Sequence, residues 1–317
     1  MAKPTSAARA LFARQPHLRK IFTAARARGP LPVAVAYPCD RDALEAAVTA
    51  AREGLILPTL VGPRTLIEAA AAKARLDLAG AAIHDTGDDP RGAAVEAVAL
   101  CRSGAAAALM KGSLHTDDLL AAAVAREGLR TARRVSHVFV IDIPKFERPL
   151  LLTDCVVNIN PALLDKRDIT QNAIDLAHTI GIARPHVAIL SAVETVNPAI
   201  PGTIDAAALC KMADRKQIQG AVLDGPLAFD NAISEGSARK KGIESPVAGR
   251  PDILLVPNLE AGNIIYKQLV YLSAAECAGV VLGTSVPVIL TSRADSIASR
   301  VASCALAVLQ ARGGATA

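Results

Sequence analysis

Short apolar runs rich in Val, Ile and Leu alternate along the chain with longer segments in which apolar residues recur at helical spacing. The runs predict strands at 33–37, 59–62, 107–110, 136–142, 151–159, 186–191, 220–224, 252–256, 278–283 and 287–291. The longer segments predict helices at 41–53, 64–74, 90–103, 117–127, 168–180, 203–214, 263–275 and 293–310. Continuous apolar strands are typical of a sheet buried on both faces, so the pattern indicates an α/β fold with a largely parallel sheet.

Chain length and strand number both favour two domains. The chain has 317 residues, and a domain usually takes about 100–200 residues. The predicted strands also outnumber the roughly four to six of an ordinary sheet. The basic, Gly-containing segment at 128–137 marks the expected break. The Ala-rich helix at 293–310 can pack closely on either domain.

Composition narrows the class of protein. Hydrophobic residues make up 51% of the chain but aromatic residues only 3%, so the core is expected to consist of Ala, Val, Leu and Ile. No apolar run reaches the ~18 residues that a membrane span needs. The six cysteines are scattered without a C-x-x-C pair, which favours a reduced, cytoplasmic compartment. We therefore expect a cytoplasmic protein without a membrane partner.

The charge of the chain is a weaker indication of its binding partners. The formal net charge is +5, and the basic segment 237–242 is short and lacks aromatic residues, so nucleic acid is not an expected partner. Lys240 and Lys241 are interpreted as a solvated face. A small polyanionic ligand remains compatible with this charge.

The first 39 residues contain Lys and Arg but no acid. This composition is compatible with an organelle transit peptide. The favoured interpretation is an amphipathic surface helix, with Leu11, Phe12, Leu18, Ile21 and Phe22 packed on the body of the protein.

Polar residues follow several predicted strands directly. Ligands of open α/β sheets gather beyond the carboxyl ends of strands, where helix N-termini offer free N–H groups. The strand exits with polar or Gly-bearing sequences are 110–116, 191–198, 224–232, 257–263 and 291–296. Together they favour a shared ligand-binding cleft.

The exit "TSRADS" (291–296) contains both capping groups and a cation. Ser292 or Asp295 can cap the helix that follows. A cation such as Arg293 is disfavoured at the positive end of a helix unless an anion lies there too. Arg293 is therefore a candidate clamp for phosphate or carboxylate.

The other exits supply further candidates. In "MKGSLHT" (110–116), Lys111 and the Gly112 amide are candidate phosphate contacts, and His115 is either a capped structural histidine or a catalytic one. Gly225-Pro226 and Gly262-Asn263 are expected to form turns. The full set of candidate substrate-binding residues is Lys111, Gly112, Ser113, His115, Thr116, Asp224, Gly225, Pro226, Asp230, Asn258, Glu260, Gly262 and Asn263.

Several familiar motifs are absent from the sequence. It contains no P-loop, no G-x-G-x-x-G, no G-x-S-x-G and no H-E-x-x-H. It also lacks a His/Cys set with metal-ligand spacing. Nothing in the sequence requires a metal or a tightly bound cofactor.

Four of these segments carry a family resemblance. "LMKGSLHT", "DGPLAFDNAIS", "SPVAGRPDILLVPNLEAGN" and "PVILTSRADS" stand in an order and at a spacing that resemble the phosphate acetyl/butyryltransferase family. The resemblance extends from about Val33 to Leu309 and is nearest to phosphate butyryltransferases and to the acyltransferase part of enoyl-CoA hydratase/phosphate acetyltransferase fusions.

The resemblance implies a fold and an assembly. It implies two three-layer α/β domains of the isocitrate/isopropylmalate dehydrogenase kind, with the active site in the interdomain cleft. The first domain would comprise residues 1–134 with 287–317, because the C-terminal helix returns to it. The second would comprise residues 135–286 and form a homodimer.

The resemblance also implies a reaction, in which acyl-CoA and inorganic phosphate exchange to acyl phosphate and CoA. Ser292 and Arg293 match the Ser-Arg pair at the phosphate and CoA end of the cleft. Two features of the acetyl-specific branch are missing: the Asp treated as the base is Ser299 here, and an Arg after the His-Thr pair falls in the Leu-Ala run 119–123.

The residues support a direct acyl transfer, with Arg293, Ser292 and Asp295 as candidate catalytic residues. A thiol of pKa about 8.5 is some 4.6 units above a carboxylic acid of pKa about 3.9, a gap of roughly 6 kcal/mol. Asp295 therefore needs desolvation to act as a base, or else it only orients Arg293.

Two alternatives remain open at this stage. One is a non-catalytic module that binds acyl-CoA or acyl phosphate, which the serine at position 299 makes more plausible. The other is an NAD-dependent decarboxylating dehydrogenase on the same kind of fold.

Overall fold

The computed structural model describes residues 11–144, 146–291 and 295–313. The chain divides into two compact units, one made of the residues up to 135 together with those from 277 onward, and the other of residues 136–276. Ser292 and Arg293, the predicted anion clamp, lie outside the described residues.

The first unit is a helix-covered sheet that is parallel except at one pair. In chain order its elements are α1 (Pro16–Arg26), β1 (Leu31–Ala36), α2 (Arg41–Arg52), β2 (Ile56–Gly62), α3 (Arg64–Ala74), β3 (Ala82–Asp85), α4 (Pro90–Arg102), β4 (Ala108–Lys111), α5 (Thr116–Val124), β10 (Glu276–Leu282), β11 (Val288–Ile289) and α11 (Ile297–Gly313). The strand order is β3-β2-β1-β4-β11-β10. Among the described strands of this unit, β10 and β11 pair antiparallel, and the pairs β1–β2, β2–β3, β1–β4 and β4–β11 are parallel.

The second unit has the same layered organisation. Its elements are β5 (Ser136–Asp142), β6 (Leu150–Thr153), α6 (Leu163–Thr179), β7 (His186–Leu190), α7 (Pro201–Asp214), β8 (Val222–Leu227), α8 (Phe229–Ile233), α9 (Glu235–Lys240), β9 (Ile253–Leu255) and α10 (Leu259–Leu272). The strand order is β5-β6-β9-β7-β8, with β5 and β6 antiparallel and the other pairs parallel. The mixed α/β class predicted from the sequence is confirmed.

Two strand predictions need correction. The strand predicted at 151–159 ends at Thr153, because the Asp154 carboxylate accepts hydrogen bonds from the N–H groups of Val156, Val157 and Asn158 and turns the chain. The short strand β3 was not predicted. It forms one edge of its sheet and is largely exposed, so it lacks the continuous apolar run that marks the buried strands.

Three helix starts differ from the prediction by four or five residues. Helix α10 begins at Leu259 rather than 263, because Asn258 caps it. Helix α6 begins at Leu163 rather than 168, since the Asp165 side chain accepts the Ala162 N–H at 3.0 Å and satisfies a free donor of the first turn. Helix α11 begins at Ile297 rather than 293. Ser296 caps it, because its Oγ accepts the Ser299 N–H at 3.0 Å. The N-cap is thus Ser296, the residue after Asp295, while Ser292 lies outside the described residues.

The two terminal helices belong together in the first unit. Helix α1 buries Leu18, Ile21, Phe22 and Ala25, which confirms an amphipathic helix near the N-terminus. Leu11 and Phe12, which were expected to pack with it, precede the helix, and Phe12 is buried. Helix α11 packs against α1 and α2. Its buried face consists largely of Ala and other small residues, which permits this close packing.

The unit boundary lies earlier than the predicted domain boundary, at 277 rather than 287. Backbone hydrogen bonding explains the difference. Val281 pairs with Val288, and the Ser285 N–H donates to the Leu129 carbonyl at 2.8 Å. Residues 277–286 are thereby tied to the first unit. Over the part of the chain that is described, no helix is both long enough and apolar enough to cross a bilayer.

Candidate active site

Two neighbouring strand exits of the first unit are interlocked by their backbones. Strands β1 and β4 are parallel, with Ala36 in register with Lys111. Beyond this point the Gly112 N–H donates to the Ala36 carbonyl at 2.9 Å, and the Ser113 N–H donates to the Tyr37 carbonyl at 2.8 Å. The Ser113 Oγ accepts the Cys39 N–H at 2.8 Å. These bonds hold the segments 36–39 and 111–113 side by side.

Gly112 is required by this close approach. A Cβ atom at this position would lie 2.2 Å from the Ala36 carbonyl oxygen and 2.6 Å from that of Tyr37. Both atoms belong to the backbone and cannot move without breaking the interlocked exits. Glycine is therefore required at position 112 because no side chain fits there. From the sequence we proposed only that the Gly112 amide contacts phosphate.

A solvent-open pocket lies at these exits. It is lined by Asp40, Asp42, Ala43, Lys111, Gly112, Thr291 and Arg300. Lys111 is only 7% exposed, and its Nζ donates to the Gly112 carbonyl at 3.2 Å. The structure thus places two predicted residues, Lys111 and Gly112, in one pocket, which we call the Lys111 pocket.

Arg300 was missed by the sequence reasoning. It lies in the first turn of α11, and its Nη2 stands 3.6 Å from Asp42 Oδ2. The signal was available, because the argument that drew attention to Arg293 applies equally to a cation in the first turn of this helix. It was overlooked because the predicted helix began at 293, which placed Arg300 in its interior.

Two ionisable groups beside the pocket stay neutral near pH 7. Burial, followed by the nearby Asp88 and Asp40 carboxylates, raises the pKa of the half-buried Cys39 thiol to about 11. A hydrogen bond from Tyr37 to Asp88 raises the pKa of that tyrosine well above its ordinary value. Tyr37 also has a φ of 51°, an uncommon backbone conformation for a bulky residue. Cys39 is thus a poor nucleophile at neutral pH.

The remaining candidates of the first unit occupy more exposed positions. His115 is exposed and immediately precedes α5, which Thr116 begins. Asp295 is half-buried and stands next to the capping Ser296. Ser299, where the resemblance would place a base, is buried, and its Oγ lies 3.8 Å from Cys277 Sγ. A serine in this setting cannot take the role of a carboxylate base.

In the second unit, the turn expected at Gly225-Pro226 is wrong, because both residues lie within β8. This strand forms an edge of its unit's sheet, where a proline removes no ladder bond. Gly225 is needed because a Cβ would lie 2.7 Å from Ile189 Cβ. The Asp224 side chain accepts the Gly225 N–H at 2.8 Å.

Asp230 belongs to a network of exposed charges on α8 and α9. Lys241 Nζ lies 3.3 Å from Asp230 Oδ2 and 3.5 Å from Glu194 Oε2, while Ser237 Oγ donates to the Asp230 carboxylate. The Ser237 hydrogen bond is the main cause that lowers the pKa of Asp230. Lys241 is exposed, as expected, and its ammonium group pairs with both acids. We call Glu194, Asp230, Ser237 and Lys241 the Lys241 cluster.

The turn expected at Gly262-Asn263 is also wrong, since both residues lie inside α10. Asn258 caps this helix, with its Oδ1 accepting the Ala261 N–H at 2.9 Å, and Glu260 lies in the first turn. A Cβ at Gly262 would lie 2.8 Å from Val256 Cγ2 and 3.0 Å from the Asp154 carbonyl oxygen. Glycine is therefore needed for close helix packing rather than for a turn.

None of these groups forms a metal site. Across residues 11–144, 146–291 and 295–313, no group of three or more His, Cys, Asp and Glu side chains is arranged to hold a metal ion.

Comparison with known proteins identifies the family. The model of the phosphate acetyl/butaryl transferase family matches residues 89–308. A phosphate acetyltransferase of Rhizobium meliloti is 56% identical over 293 residues, which cover 92% of each chain. A phosphate butyryltransferase of Clostridium beijerinckii is 47% identical over 280 residues, 88% of this chain and 92% of the relative.

A solved structure supports the same assignment. A branched-chain phosphotransacylase from Enterococcus faecalis V583 is 30% identical, with a TM-score of 0.77, and the match covers 89% of this chain and 99% of that one. The sequence resemblance and the mixed α/β fold therefore agree. This chain belongs to the phosphate acetyl/butaryl transferase family.

Proposed function

We propose that the protein transfers a short acyl group between CoA and inorganic phosphate, so that acyl-CoA and phosphate are converted to acyl phosphate and CoA. Family membership supports the reaction class. The observation that carries the proposal is a buried lysine in a solvent-open pocket at two interlocked strand exits. Such a cation suits a phosphate oxygen or a developing thiolate.

The proposed chemistry is a direct displacement. A phosphate oxygen attacks the thioester carbonyl carbon, an O–C bond forms, and the C–S bond breaks to release the CoA thiolate. Because a thiol has a pKa of about 8.5, the thiolate is a moderate leaving group that a nearby cation stabilises further. We assign this stabilisation to Lys111 and Arg293, and we propose Ser292 as a further catalytic residue.

Asp295 is the proposed base in the reverse direction, when the CoA thiol attacks acyl phosphate. A carboxylate is too weak for this role unless it is desolvated. The Asp295→Asn variant distinguishes between two roles for Asp295, that of a general base and that of a residue that only orients Arg293. A loss of kcat of less than about tenfold would rule out the base role, since general base catalysis contributes about 10²–10⁴.

The second unit is proposed to contribute substrate-binding groups. These residues are Asp224, Gly225, Pro226, Asp230, Asn258, Glu260, Gly262 and Asn263. From the first unit, Ser113, His115 and Thr116 are proposed to join Lys111 and Gly112.

We propose that the substrates carry acyl chains of two to four carbons and bind in the cleft of a dehydrogenase-like two-domain fold. We further propose that the protein has no tightly bound cofactor and is cytoplasmic.

A homodimer formed through the second unit is part of the proposal. Helix α10 exposes Ile264, Tyr271 and Leu272, with exposed fractions between 68% and 81%. Positions 264, 271 and 272 fall on one face at helical spacing. If a second copy covers this face, Tyr271→Glu converts the dimer to a monomer in light scattering, while Leu57→Glu on the first unit does not. A native monomer would contradict the dimer.

The function is tested by the release of free CoA thiol from acetyl-CoA and butyryl-CoA with and without phosphate. We expect phosphate-dependent release from at least one substrate, and loss of this release in Arg293→Ala. Binding of CoA without thiol release would favour the non-catalytic module. Turnover of NAD with a 2-hydroxy acid would favour the dehydrogenase.

A further inference from the structure

Tyr37, which follows β1 directly, is bonded to three other strands of the first unit or to their exits. Its N–H donates to the carbonyl of Val61 in β2 at 2.7 Å, and its own carbonyl accepts the N–H of Ser113, beyond β4, at 2.8 Å. Its phenol donates to the carboxylate of Asp88, beyond β3. Because these strands lie in the order β3-β2-β1-β4, one residue joins four neighbouring strands at the carboxyl edge of the sheet.

The backbone of Tyr37 adopts a conformation that favours a smaller residue. Its φ of 51° lies in the left-handed region, which glycine enters without steric cost. A bulky residue persists there only where its surroundings fix it, and such residues cluster at functional sites. The tyrosine must therefore supply something that glycine cannot, and its hydrogen bond to Asp88 is a contact of that kind.

The Asp88 end of this hydrogen bond is itself held in place. On one side of it, the Thr86 N–H donates to the Gly62 carbonyl at 3.2 Å, and on the other, the Asp89 side chain caps α4. A hydrogen bond to a carboxylate is stronger than one between neutral groups. Because this bond is the main cause that raises the pKa of Tyr37 well above its ordinary value, the phenol keeps its proton near pH 7 and remains a donor.

At its other end, Tyr37 controls the position of the β4 exit. A Cβ at Gly112 would lie 2.6 Å from the Tyr37 carbonyl oxygen, so the two backbones are in close contact. The Cys39 N–H donates both to that carbonyl at 3.0 Å and to Ser113 Oγ at 2.8 Å. A shift of Tyr37 would therefore move the segment that carries Lys111.

We propose that Tyr37 is a positioning residue for the acyl transfer. Its hydrogen bond to Asp88 holds the β1 exit, and the backbone bonds of that exit hold Lys111 in the place that the reaction requires. The inference rests on the proposed function for the role of Lys111. Tyr37 acts through this lysine and not on the substrate. Small movements matter here, because a misplacement of about 1 Å can lower a rate by about 10².

The direct test is Tyr37→Phe, which removes the hydroxyl and keeps the ring. We expect kcat to fall by about tenfold or more, the change expected for loss of one hydrogen bond to a charged group. The KM values for acyl-CoA and phosphate should stay within about twofold, because Lys111 is assigned to the thiolate that forms in the transition state.

Substitutions at the acceptor separate the hydrogen bond from the tyrosine ring. Asp88→Ala should lower kcat as much as Tyr37→Phe does, whereas Asp88→Asn keeps an acceptor oxygen and should retain most of the activity. The double variant Tyr37→Phe/Asp88→Ala should be no slower than either single variant, since both remove the same bond. Additive losses in the double variant would contradict a shared role.

A tyrosine with a merely structural role predicts a different result. Tyr37→Phe would then lower the melting temperature, while kcat measured well below that temperature would stay within about twofold of the wild type, and this outcome would overturn the inference. Tyr271→Phe is the matched control, because it removes the same hydroxyl from a tyrosine that is 70% exposed in the second unit. The control is expected to leave kcat and both KM values unchanged.

Hydrogen exchange gives a second readout that does not depend on turnover. The amides of Gly112 and Ser113 should exchange faster in Tyr37→Phe and in Asp88→Ala than in the wild type and in Asp88→Asn. Mass spectrometry of a peptide that spans 111–116 measures this exchange. If the wild type releases no thiol, the proposed function fails, and faster exchange in Tyr37→Phe still supports the control of the β4 exit by Tyr37. Unchanged exchange in Tyr37→Phe would overturn the inference, whether or not thiol is released.

Discussion

The Lys111 pocket and the Lys241 cluster both gather charges after strands, but they are held by different forces. In the first, backbone hydrogen bonds join segments 36–39 and 111–113, a glycine permits their contact, and the cations are buried. In the second, partly exposed side chains from two short helices and from the loops beside them pair with one another. A rigid, partly desolvated site suits chemistry, because its charges keep their positions and act through a lower dielectric.

The largest effect is expected from Gly112→Ala. The added Cβ would lie 2.2 Å from the Ala36 carbonyl oxygen, so the two strand exits must separate. Overpacking of this kind costs about 1–3 kcal/mol or more. Thermal unfolding should show a clearly lowered melting temperature, with loss of activity. Gly87→Ala is the control, because nothing lies within 4 Å of a Cβ placed there. Equal melting temperatures for Gly112→Ala and Gly87→Ala would contradict the claim that close backbone packing holds the Lys111 pocket in place.

An intermediate effect is expected from Lys111→Met, which keeps the length of the side chain but removes its charge. Loss of one preorganised electrostatic contact typically lowers kcat by about 10²–10³. The melting temperature should change little, since the replacement is apolar and the position is buried. Steady-state kinetics with saturating phosphate measure the loss. A decrease of less than about threefold would contradict the role of Lys111 in the reaction.

The smallest effect is expected from Ser237→Ala in the Lys241 cluster. The Ser237 hydrogen bond lowers the pKa of Asp230, so it stabilises the fold while the carboxylate is ionised. That contribution is present above the ordinary Asp pKa of about 3.9 and is lost as the pH falls below it. The melting temperatures of wild type and variant should therefore differ slightly at pH 7 and converge below about pH 4. A difference that grows at low pH would contradict this account.

The sequence was sufficient for the parts of the fold that local patterns determine. Helix α3 spans 64–74 as predicted, because its residues are good helix formers between clear breaks. The strand exits were informative because parallel strands end at the same edge of a sheet. Lys111 and Gly112, which are neighbours at one of these exits, line a pocket, and their role in binding stays a prediction.

The errors arose where tertiary packing decides the conformation. Gly225-Pro226 and Gly262-Asn263 have the composition of turns, yet an edge strand and a close helix contact accommodate them. Arg300 was missed because the predicted helix began at 293, and its pairing with Asp42 joins residues more than 250 positions apart in the chain. The distance between those two side chains is a property of the fold and is not visible in the sequence.

The central claim is that the acyl group passes to phosphate rather than to water. The most direct measurement follows free thiol and acyl phosphate in the same reaction, with thiol detected optically and acyl phosphate by ³¹P NMR, using butyryl-CoA or acetyl-CoA and inorganic phosphate. The account predicts equal amounts of both products and no thiol without phosphate. Release of thiol with no acyl phosphate would show a hydrolase and contradict the account.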